Sequence, residues 1–265
     1  MADISQHISQ HTSPHKDTIV DQFTRQAVPF ASAPAIRNSD ALNRIVTMAA
    51  ATPNDTVLDV ACGPGLLVCA FARVVRHASG IDLTPAMLEQ ARKLQSEQGL
   101  QNISWQLGDV ESLPFSDGYF SIVSSRFALH HLQNPLAALN EMRRVCARGG
   151  RVVVADSAPA ADKAEAFNAM ERLRDPSHCR AFSVEELRQL FTAAGLAEQP
   201  AVEFYRLRGE LEDLLRRSFP NEGDADRIRA IFERSLETDA LDMATEKRDG
   251  KIYYGFPVAI LATRC

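Results

Sequence analysis

A strand that breaks into a glycine turn and then into a helix is the feature that most constrains this fold. Apolar residues surround Asp59 in a predicted strand over 56–60, Gly63 and Gly65 follow, and an apolar stretch continues from Leu66 to about Arg76. Glycine lacks a Cβ atom, so the backbone can turn sharply and approach a ligand closely. The helix directs its free N–H groups and the positive end of its dipole toward that ligand. The pattern predicts a nucleotide-type cofactor site at the carboxyl end of a first parallel strand.

The turn departs from a dinucleotide-binding fingerprint at one position. Such a fingerprint needs a third small residue three positions after the second glycine, so that the helix packs closely on the strand. That position is Val68, which is bulky and branched, and Pro64 separates the two glycines. The turn therefore disfavours a dinucleotide such as NAD.

A second acid follows at the end of the next predicted strand. Gly80 is expected to end the first helix, and residues 81–83 form a short strand that contains Asp82. Thr84 and Pro85 then give a helix start, with threonine as N-cap and proline at the first helical position. An acid in the position of Asp82 can accept hydrogen bonds from both hydroxyls of a ribose.

Three later segments continue the alternation of strands and helices. A third strand begins at Ile103 and leads into Gly108-Asp109-Val110, and a fourth strand spans residues 120–125. Gly149 and Gly150 are expected to stop a helix before a fifth strand that ends at Asp156. Strands that alternate with helices in this way predict a largely parallel sheet.

The ordered motifs D-V-A-C-G-P-G, G-I-D-L, G-D-V and S-R-F-A-L-H-H resemble those of the class I S-adenosylmethionine-dependent methyltransferases. The resemblance covers roughly residues 40 to 160 and is strongest to the ubiquinone/menaquinone C-methyltransferase-like branch. It implies S-adenosyl-L-methionine as methyl donor, S-adenosyl-L-homocysteine as product and no metal. It also implies an α/β fold with a Rossmann-like, seven-stranded, mostly parallel sheet, helices on both faces, an N-terminal helical segment and a small helical lid.

The resemblance also assigns roles to side chains around the donor. The two glycines approach the methionine moiety, and Asp59 orients their turn through a water or the ligand's ammonium. Asp82 holds the ribose, Met87 and Val110 sandwich the adenine, and Asp109 binds its amino group. The complete expected donor set is Asp59, Ala61, Gly63, Gly65, Asp82, Leu83, Met87, Asp109, Val110 and Phe127.

The composition limits which class of acceptor and which cellular compartment are expected. The 265 residues are 45% hydrophobic, enough for one α/β core with a small helical cap. A net charge of −5 without a basic run weighs against a nucleic-acid substrate. No apolar stretch approaches the ~20 residues that cross a bilayer, and no signal-peptide pattern opens the chain. Five scattered cysteines fit a reducing compartment, so a cytoplasmic protein is expected. The family resemblance implies a small-molecule acceptor.

The chain divides into a loose tail over residues 1–16 and one domain over 17–265. Within that domain, residues 17–50 form an N-terminal helical lid or pack simply on the core, with Phe23 and Phe30 available to shield the donor. Residues 51–160 bind the cofactor, and 161–265 supply acceptor-side helices and the last two strands. A turn is expected at Pro29, and a helix from Ser39 to Ala50 is expected to be capped by Ser39 or Asp40.

Histidines in the tail carry no predicted function. His7, His11 and His15 recur every four residues, which on a helix would give one metal-competent face. Pro14 and the polar composition disfavour a stable helix there, so these side chains are expected to be solvated. We therefore predict no metal site.

The expected general base is a histidine beyond the fourth strand. If the acceptor is a phenol, an enol or an acidic C–H, a base must remove a proton. His130 and His131 are candidates, and only one of them is expected to face the pocket because neighbours on a helix diverge; packing is the alternative role. His178 is a second candidate base beside Arg180, a candidate anion clamp, with a turn-capping role as the alternative.

Arg126 is unusual because it ends an apolar strand. A buried arginine is costly unless its charge is paired. It either binds an acceptor carboxylate, stabilises an enolate or pairs with an internal acid such as Asp156.

Three functions remain open from the sequence. The first is methyl transfer to a small organic acceptor, aromatic or quinone-like, by in-line displacement. The second is a catalytically silent protein that binds S-adenosylmethionine as a sensor or partner subunit. The third is an NAD-dependent dehydrogenase, which Val68 and the G-D-V motif disfavour.

Overall fold

The structure, a computed structural model, describes residues 13–197 and 199–265. Its centre is a sheet whose strands lie in the order β3-β2-β1-β4-β5-β8-β6, with the short β7 paired to β8. β1 to β5 are mutually parallel where they pair, and β8 runs antiparallel to β5, β6 and β7. The strands are β1 (Thr56–Val60), β2 (His77–Asp82), β3 (Ile103–Leu107), β4 (Phe120–Arg126), β5 (Cys146–Ser157), β6 (Ala201–Glu210), β7 (Glu246–Arg248) and β8 (Lys251–Arg264).

Helices cover both faces of the sheet because successive strand residues point to opposite sides. On one face Val57 and Ile122 join a core with most of the helices, and on the other Leu58 and Val123 join a core with α5 and α7. The predicted α/β fold with a mostly parallel sheet is thus confirmed, and the short β7 adds an eighth strand to the expected seven. The helices are α1 (Pro14–Ser32), α2 (Ser39–Met48), α3 (Leu66–Ala72), α4 (Pro85–Glu97), α5 (Pro135–Val145), α6 (Ala164–Arg174), α7 (Val184–Ala193), α8 (Leu211–Ser218) and α9 (Asp224–Thr238).

The predicted loose tail is wrong from residue 13 onward, while residues 1–12, with His7 and His11, lie outside the described residues. α1 begins after Ser13, whose Oγ accepts a hydrogen bond from the N–H of Lys16, and Pro14 occupies its first position. His15 is not solvated as expected, since its Nε2 lies 2.7 Å from the carbonyl oxygen of His131.

α1 also continues through Pro29 to Ser32 instead of turning there. Proline removes the hydrogen bond that would reach the carbonyl of Arg25. Arg25 is exposed, so water can satisfy that carbonyl and the helix survives.

Two glycine interpretations are also wrong. Gly80 lies inside β2, and a Cβ atom there would come within 2.6 Å of the Trp105 ring. Glycine is therefore required for packing against β3, and α3 ends earlier than expected. Gly149 and Gly150 lie within β5, which starts at Cys146.

Helix caps explain the remaining boundaries. Asn38, and not Ser39 or Asp40, caps α2, because its Oδ1 accepts a hydrogen bond of 3.0 Å from the N–H of Ala41. At α4 the Oδ1 of Asp82 accepts the N–H of Thr84 at 2.9 Å, and the threonine hydroxyl makes no cap bond.

Candidate active site

A cavity lies at the carboxyl ends of β1, β2 and β4, where the strand order reverses between β1 and β4. Open α/β sheets bind ligands at this switch point. The cavity has an empty volume of about 930 Å³. Nine of the ten residues expected around a donor line it: Asp59, Ala61, Gly63, Asp82, Leu83, Met87, Asp109, Val110 and Phe127.

The glycine turn forms one wall of this first cavity. Gly63 has a φ of +53°, and a Cβ atom placed on it would meet no atom within 4 Å, so its backbone is open to a ligand. Gly65, with a φ of +77°, is absent from the wall: its Cβ position would lie 2.5 Å from Cη2 of Trp105 and 2.9 Å from Cβ of Ala91. Gly65 therefore serves the packing of the turn and not ligand contact.

Two residues on the rim of the cavity hold left-handed backbone conformations. Ala61 follows β1 with a φ of 55°, and Phe127 follows β4 with a φ of 56°. Such conformations cost on the order of 1 kcal/mol or more for residues with a Cβ atom and cluster at functional sites. Both residues line the cavity.

Asp59 and Asp82 are buried carboxylates that face the first cavity. Oδ1 of Asp59 accepts the hydroxyl of Ser124 at 2.7 Å, and its other oxygen has no partner among the described residues. Burial raises the pKa of Asp59 to about 7. Oδ2 of Asp82 accepts the N–H of Gly63 at 2.7 Å, which ties the acid to the glycine turn, and burial raises the pKa of Asp82 as well.

Asp109 is engaged by a cation that the sequence had not indicated. Nζ of Lys16 lies 2.5 Å from Oδ2 of Asp109 and 2.6 Å from Oε2 of Glu111. Burial opposes the charge of Lys16, but hydrogen bonds to the two carboxylates outweigh it and raise its pKa. Lys16 itself lines the cavity, so α1 closes this side of it. The helix start at Ser13 and Pro14 is the sequence signal that could have placed Lys16 on α1.

α1 is fixed over the site by two buried amides. Nε2 of Gln22 donates to the carbonyl of Ser218 at 2.6 Å, and Nε2 of Gln26 donates to Oδ2 of Asp175 at 3.0 Å. On the same helix Phe23 and Phe30 line the first cavity. Both aromatic residues also line a second cavity next to it.

This second cavity has an empty volume of about 520 Å³ and shares part of its wall with the first. The shared residues are Phe23, Phe30, Phe127 and His131. Its other walls come from the end of β5, from β6 and β8, from α6 and α8, and from the segment that precedes α2. Two adjoining cavities with a common aromatic wall can hold two ligands in contact.

His130 and Asp156 form a buried pair at the second cavity. His130 lies in a 3-10 turn (Leu129–His131), and its Nδ1 contacts Oδ1 of Asp156 near the carboxyl end of β5. Asp156 accepts hydrogen bonds from the N–H of Leu129 at 2.8 Å and from the N–H of Ser157 at 2.6 Å. Because the carboxylate accepts at Nδ1, the neutral ring keeps its lone pair on Nε2. Burial lowers the pKa of His130, but the charge of Asp156 outweighs it, and the net pKa is raised.

Both histidines line the second cavity, so the expectation that only one faces the site is wrong. The 3-10 turn places the two ring centroids 4.2 Å apart, whereas an α-helix would separate them. Nδ1 of His131 lies 3.0 Å from the hydroxyl of Ser177. Burial and the neighbouring His130 lower the pKa of His131 to about 3, so His131 stays neutral.

The structure does not bring His178 or Arg180 to either cavity. Nε2 of His178 lies 2.7 Å from Oδ1 of Asn168, and burial lowers the pKa of His178 strongly. Arg180 is exposed and pairs with Glu186. The backbone N–H of Cys179 donates to the carbonyl of His130 at 2.8 Å, so this segment supports the 3-10 turn.

Arg126 lines the first cavity without the partner expected for it. No carboxylate of the described residues lies within 4 Å of its guanidinium, so it does not pair with Asp156. Its terminal nitrogens donate to the carbonyl of Ile36 at 3.3 Å, and it stacks over the Phe127 ring at 4.6 Å. Its charge opposes the rise in the pKa of Asp59, which lines the same cavity.

Residues 13–197 and 199–265 contain no group of three or more His, Cys, Asp or Glu side chains that could hold a metal ion. None of their helices is long and apolar enough to cross a membrane.

Comparisons with known proteins agree with this geometry. Residues 58–154 match the family described as Methyltransferase domain. The methyltransferase YcgJ of Bacillus subtilis is 34% identical over 179 residues, which are 67% of this chain and 71% of YcgJ. The crystal structure of YcgJ superposes with a TM-score of 0.75 at 27% identity, over 85% of this chain and 97% of YcgJ.

A ubiquinone/menaquinone biosynthesis C-methyltransferase, UbiE of Ruegeria sp., is also similar. It is 37% identical over 105 residues, which are 38% of this chain and 42% of UbiE. The similarity therefore covers less than half of either protein.

Proposed function

The chain belongs to the class I S-adenosylmethionine-dependent methyltransferases, and on this premise we propose that it methylates a small organic acceptor, aromatic or quinone-like. The donor occupies the first cavity and the acceptor occupies the second. The observation that carries the proposal is the adjoining pair of cavities with Phe127 and His131 in their common wall.

The residues of the first cavity fit S-adenosylmethionine. Gly63 offers open backbone to the methionine moiety, and the unpartnered oxygen of Asp59 suits its ammonium group. A carboxylate has about four acceptor positions. Asp82 uses two of them for the N–H groups of Gly63 and Thr84, which leaves two for the ribose hydroxyls.

The adenine end of the donor fits between apolar side chains. Met87 and Val110 are buried and line the cavity, and Asp109 follows β3 at its edge. Asp109 binds the adenine amino group only if it shares its carboxylate with Lys16.

The second cavity supports an acceptor with an apolar, planar body. Phe23, Phe30, Phe127 and Phe256 contribute to its wall. Aromatic side chains favour stacked and edge-on contacts with other rings. The name of the partial relative UbiE, a ubiquinone/menaquinone biosynthesis C-methyltransferase, supports the same acceptor class.

When bound, S-adenosylmethionine supplies a methyl group on a sulfonium that is already activated for displacement. The remaining task of the protein is to orient the acceptor, exclude water and take up a proton. His130 accepts that proton at Nε2, and Asp156 holds the tautomer and stabilises the charged ring. The aromatic residues of α1 exclude water from the junction of the cavities. The scattered free cysteines fit a cytoplasmic site for this reaction.

Calorimetric titration with S-adenosylmethionine, S-adenosylhomocysteine and NAD tests the donor. We expect micromolar binding of the two adenosyl ligands and none of NAD. Binding of NAD alone would contradict the proposal. Transfer of labelled methyl from the donor to a panel of phenols, hydroquinones and naphthols then tests the acceptor class, and transfer only to amines or thiols would overturn it.

A further inference from the structure

One buried cation in the wall of the second cavity has no role in the chemistry described so far. Arg217 of α8 is only 9% exposed and lines the cavity. Its Nη2 lies 3.4 Å from the hydroxyl of Tyr254, and no described carboxylate lies within 4 Å of its guanidinium. A buried cation without a counter-ion is costly, so a site that keeps one has something to bind.

The other charges of the cavity are already satisfied. Arg174 makes a two-pronged pair with Glu171, at 2.6 and 2.8 Å. Asp175 accepts hydrogen bonds from Gln26 and from the hydroxyl of Ser177. Among the described residues of this wall, Arg217 is therefore the cation that has no carboxylate partner.

Half of the other residues that line the second cavity with Arg217 are apolar. Ile36, Leu207, Leu214 and Phe256 line the same cavity. In such a medium a charged hydrogen bond is stronger than in water because the local dielectric is lower. The cavity thus combines an apolar chamber, a base at His130 and one binding position for an anion.

We propose that the methyl acceptor is an amphiphile whose apolar body carries a carboxylate or a phosphate, and that Arg217 binds this anionic group. The inference rests on the proposed function, because it assigns the second cavity to the acceptor. A guanidinium presents a planar fork of donors that matches both anions. Arg217 then selects the acceptor and fixes the position of its reacting atom relative to His130.

Three probes with the same ring system test the inference. The probes are 1-hydroxy-2-naphthoate, 1-naphthyl phosphate and neutral 1-naphthol, each titrated calorimetrically into the full chain saturated with S-adenosylhomocysteine. A hydrogen bond to a charged group increases affinity by a factor of about 10 to 100. We expect at least one anionic probe to bind about tenfold or more tightly than naphthol, and the tighter of the two identifies the anion.

The variants separate anion binding from a structural role. Arg217→Gln should remove the preference for the anionic probe and leave the affinity for naphthol unchanged, and Arg217→Lys should restore part of the preference. Arg216→Gln is the matched control, because Arg216 is the exposed neighbour that pairs with Asp213. If Arg217 only stabilised the fold, its variants would lower the melting temperature and keep the affinity ratio.

Several results would overturn the inference: equal affinity for all three probes, no binding of any of them, or an anion preference that survives Arg217→Gln. The titration with S-adenosylhomocysteine is read separately. If that ligand does not bind, the probes are titrated into the full chain alone; an Arg217-dependent preference there means that the proposed function fails and the anion site stands.

Discussion

Replacing Asp82 with asparagine should weaken donor binding more than any other single isosteric change in the first cavity. Asp82 is buried, accepts the N–H of Gly63 at 2.7 Å and that of Thr84 at 2.9 Å, and faces the cavity. Asparagine keeps the shape and one acceptor oxygen but loses the charge. Its amide nitrogen would also face one of the two backbone donors, which disturbs the glycine turn.

The size of the effect follows from the bonds at stake. A hydrogen bond to a charged group contributes about 1.5–3 kcal/mol, and asparagine weakens the bonds to the ribose without removing both. The expected loss in affinity for S-adenosylmethionine is therefore about 10- to 100-fold. It appears in calorimetric titration as a raised dissociation constant with unchanged stoichiometry.

Asp55→Asn is the matched control for Asp82→Asn. Asp55 is also a buried carboxylate, but it bonds to Thr52, Ser121 and Arg151 and lines neither cavity. This variant should lower the melting temperature and leave donor affinity within about twofold. Equal affinity of wild type and Asp82→Asn, or equal losses in both variants, would refute the assignment of Asp82 to the ribose.

Three further outcomes are expected. His130→Asn and Asp156→Asn should each lower the rate of methyl transfer to a phenolic acceptor by about 10²- to 10⁴-fold, while donor affinity, measured by calorimetry, should not change. The activity of the wild type should rise with pH through the pKa of His130, which lies above the ordinary histidine value. The pKa of Asp59 is about 7, and the donor's ammonium group favours the charged carboxylate. Donor binding below pH 7 should therefore release a proton, and donor affinity should rise up to about pH 7. Titrations in buffers of different ionisation enthalpy measure the proton release, and binding without it would count against the contact between Asp59 and the ammonium group. Gly65→Ala should lower the free energy of unfolding by about 2 kcal/mol more than Gly149→Ala. Both glycines have a positive φ, but only a Cβ atom at residue 65 would meet Trp105. Equal denaturation midpoints of the two variants would contradict this prediction.

The cofactor half of the molecule was predictable because its signals are local. The strand, turn and helix around Gly63 lie within about twenty residues. Asp82 ends β2, and Asp109 follows β3 in the same sheet. Parallel strands bring their carboxyl ends to one edge, so residues far apart in sequence converge there. Nine of the ten residues expected around the donor line one cavity for this reason.

The acceptor half was less predictable because its contacts join distant segments. Arg217 and Phe23 line the same cavity, yet only the docking of α1 against α8 brings them together, through buried bonds such as that from Gln22 to Ser218. No periodicity in either helix encodes that contact. The sequence places Lys16 in the expected tail, because its partner Asp109 is 93 residues away along the chain.

The histidines illustrate a different limit of sequence-based prediction. The motif S-R-F-A-L-H-H predicted the right segment, but the choice between base and packing depends on the partner of each ring. His130 is paired by Asp156 at the end of β5, while His131 is kept neutral by burial and by its neighbour. From the sequence, Asp156 is expected only as a partner of Arg126. Its pairing with His130 could have been inferred, because Asp156 lies near the carboxyl end of the strand next to β4.

A crystal structure of the protein with S-adenosylhomocysteine tests the central claim most directly. We predict that the ligand fills the first cavity, with its ribose on Asp82 and its sulfur at the wall of Phe127 and His131, facing the second cavity. A ligand bound elsewhere, or a sulfur that faces away from the second cavity, would contradict the account.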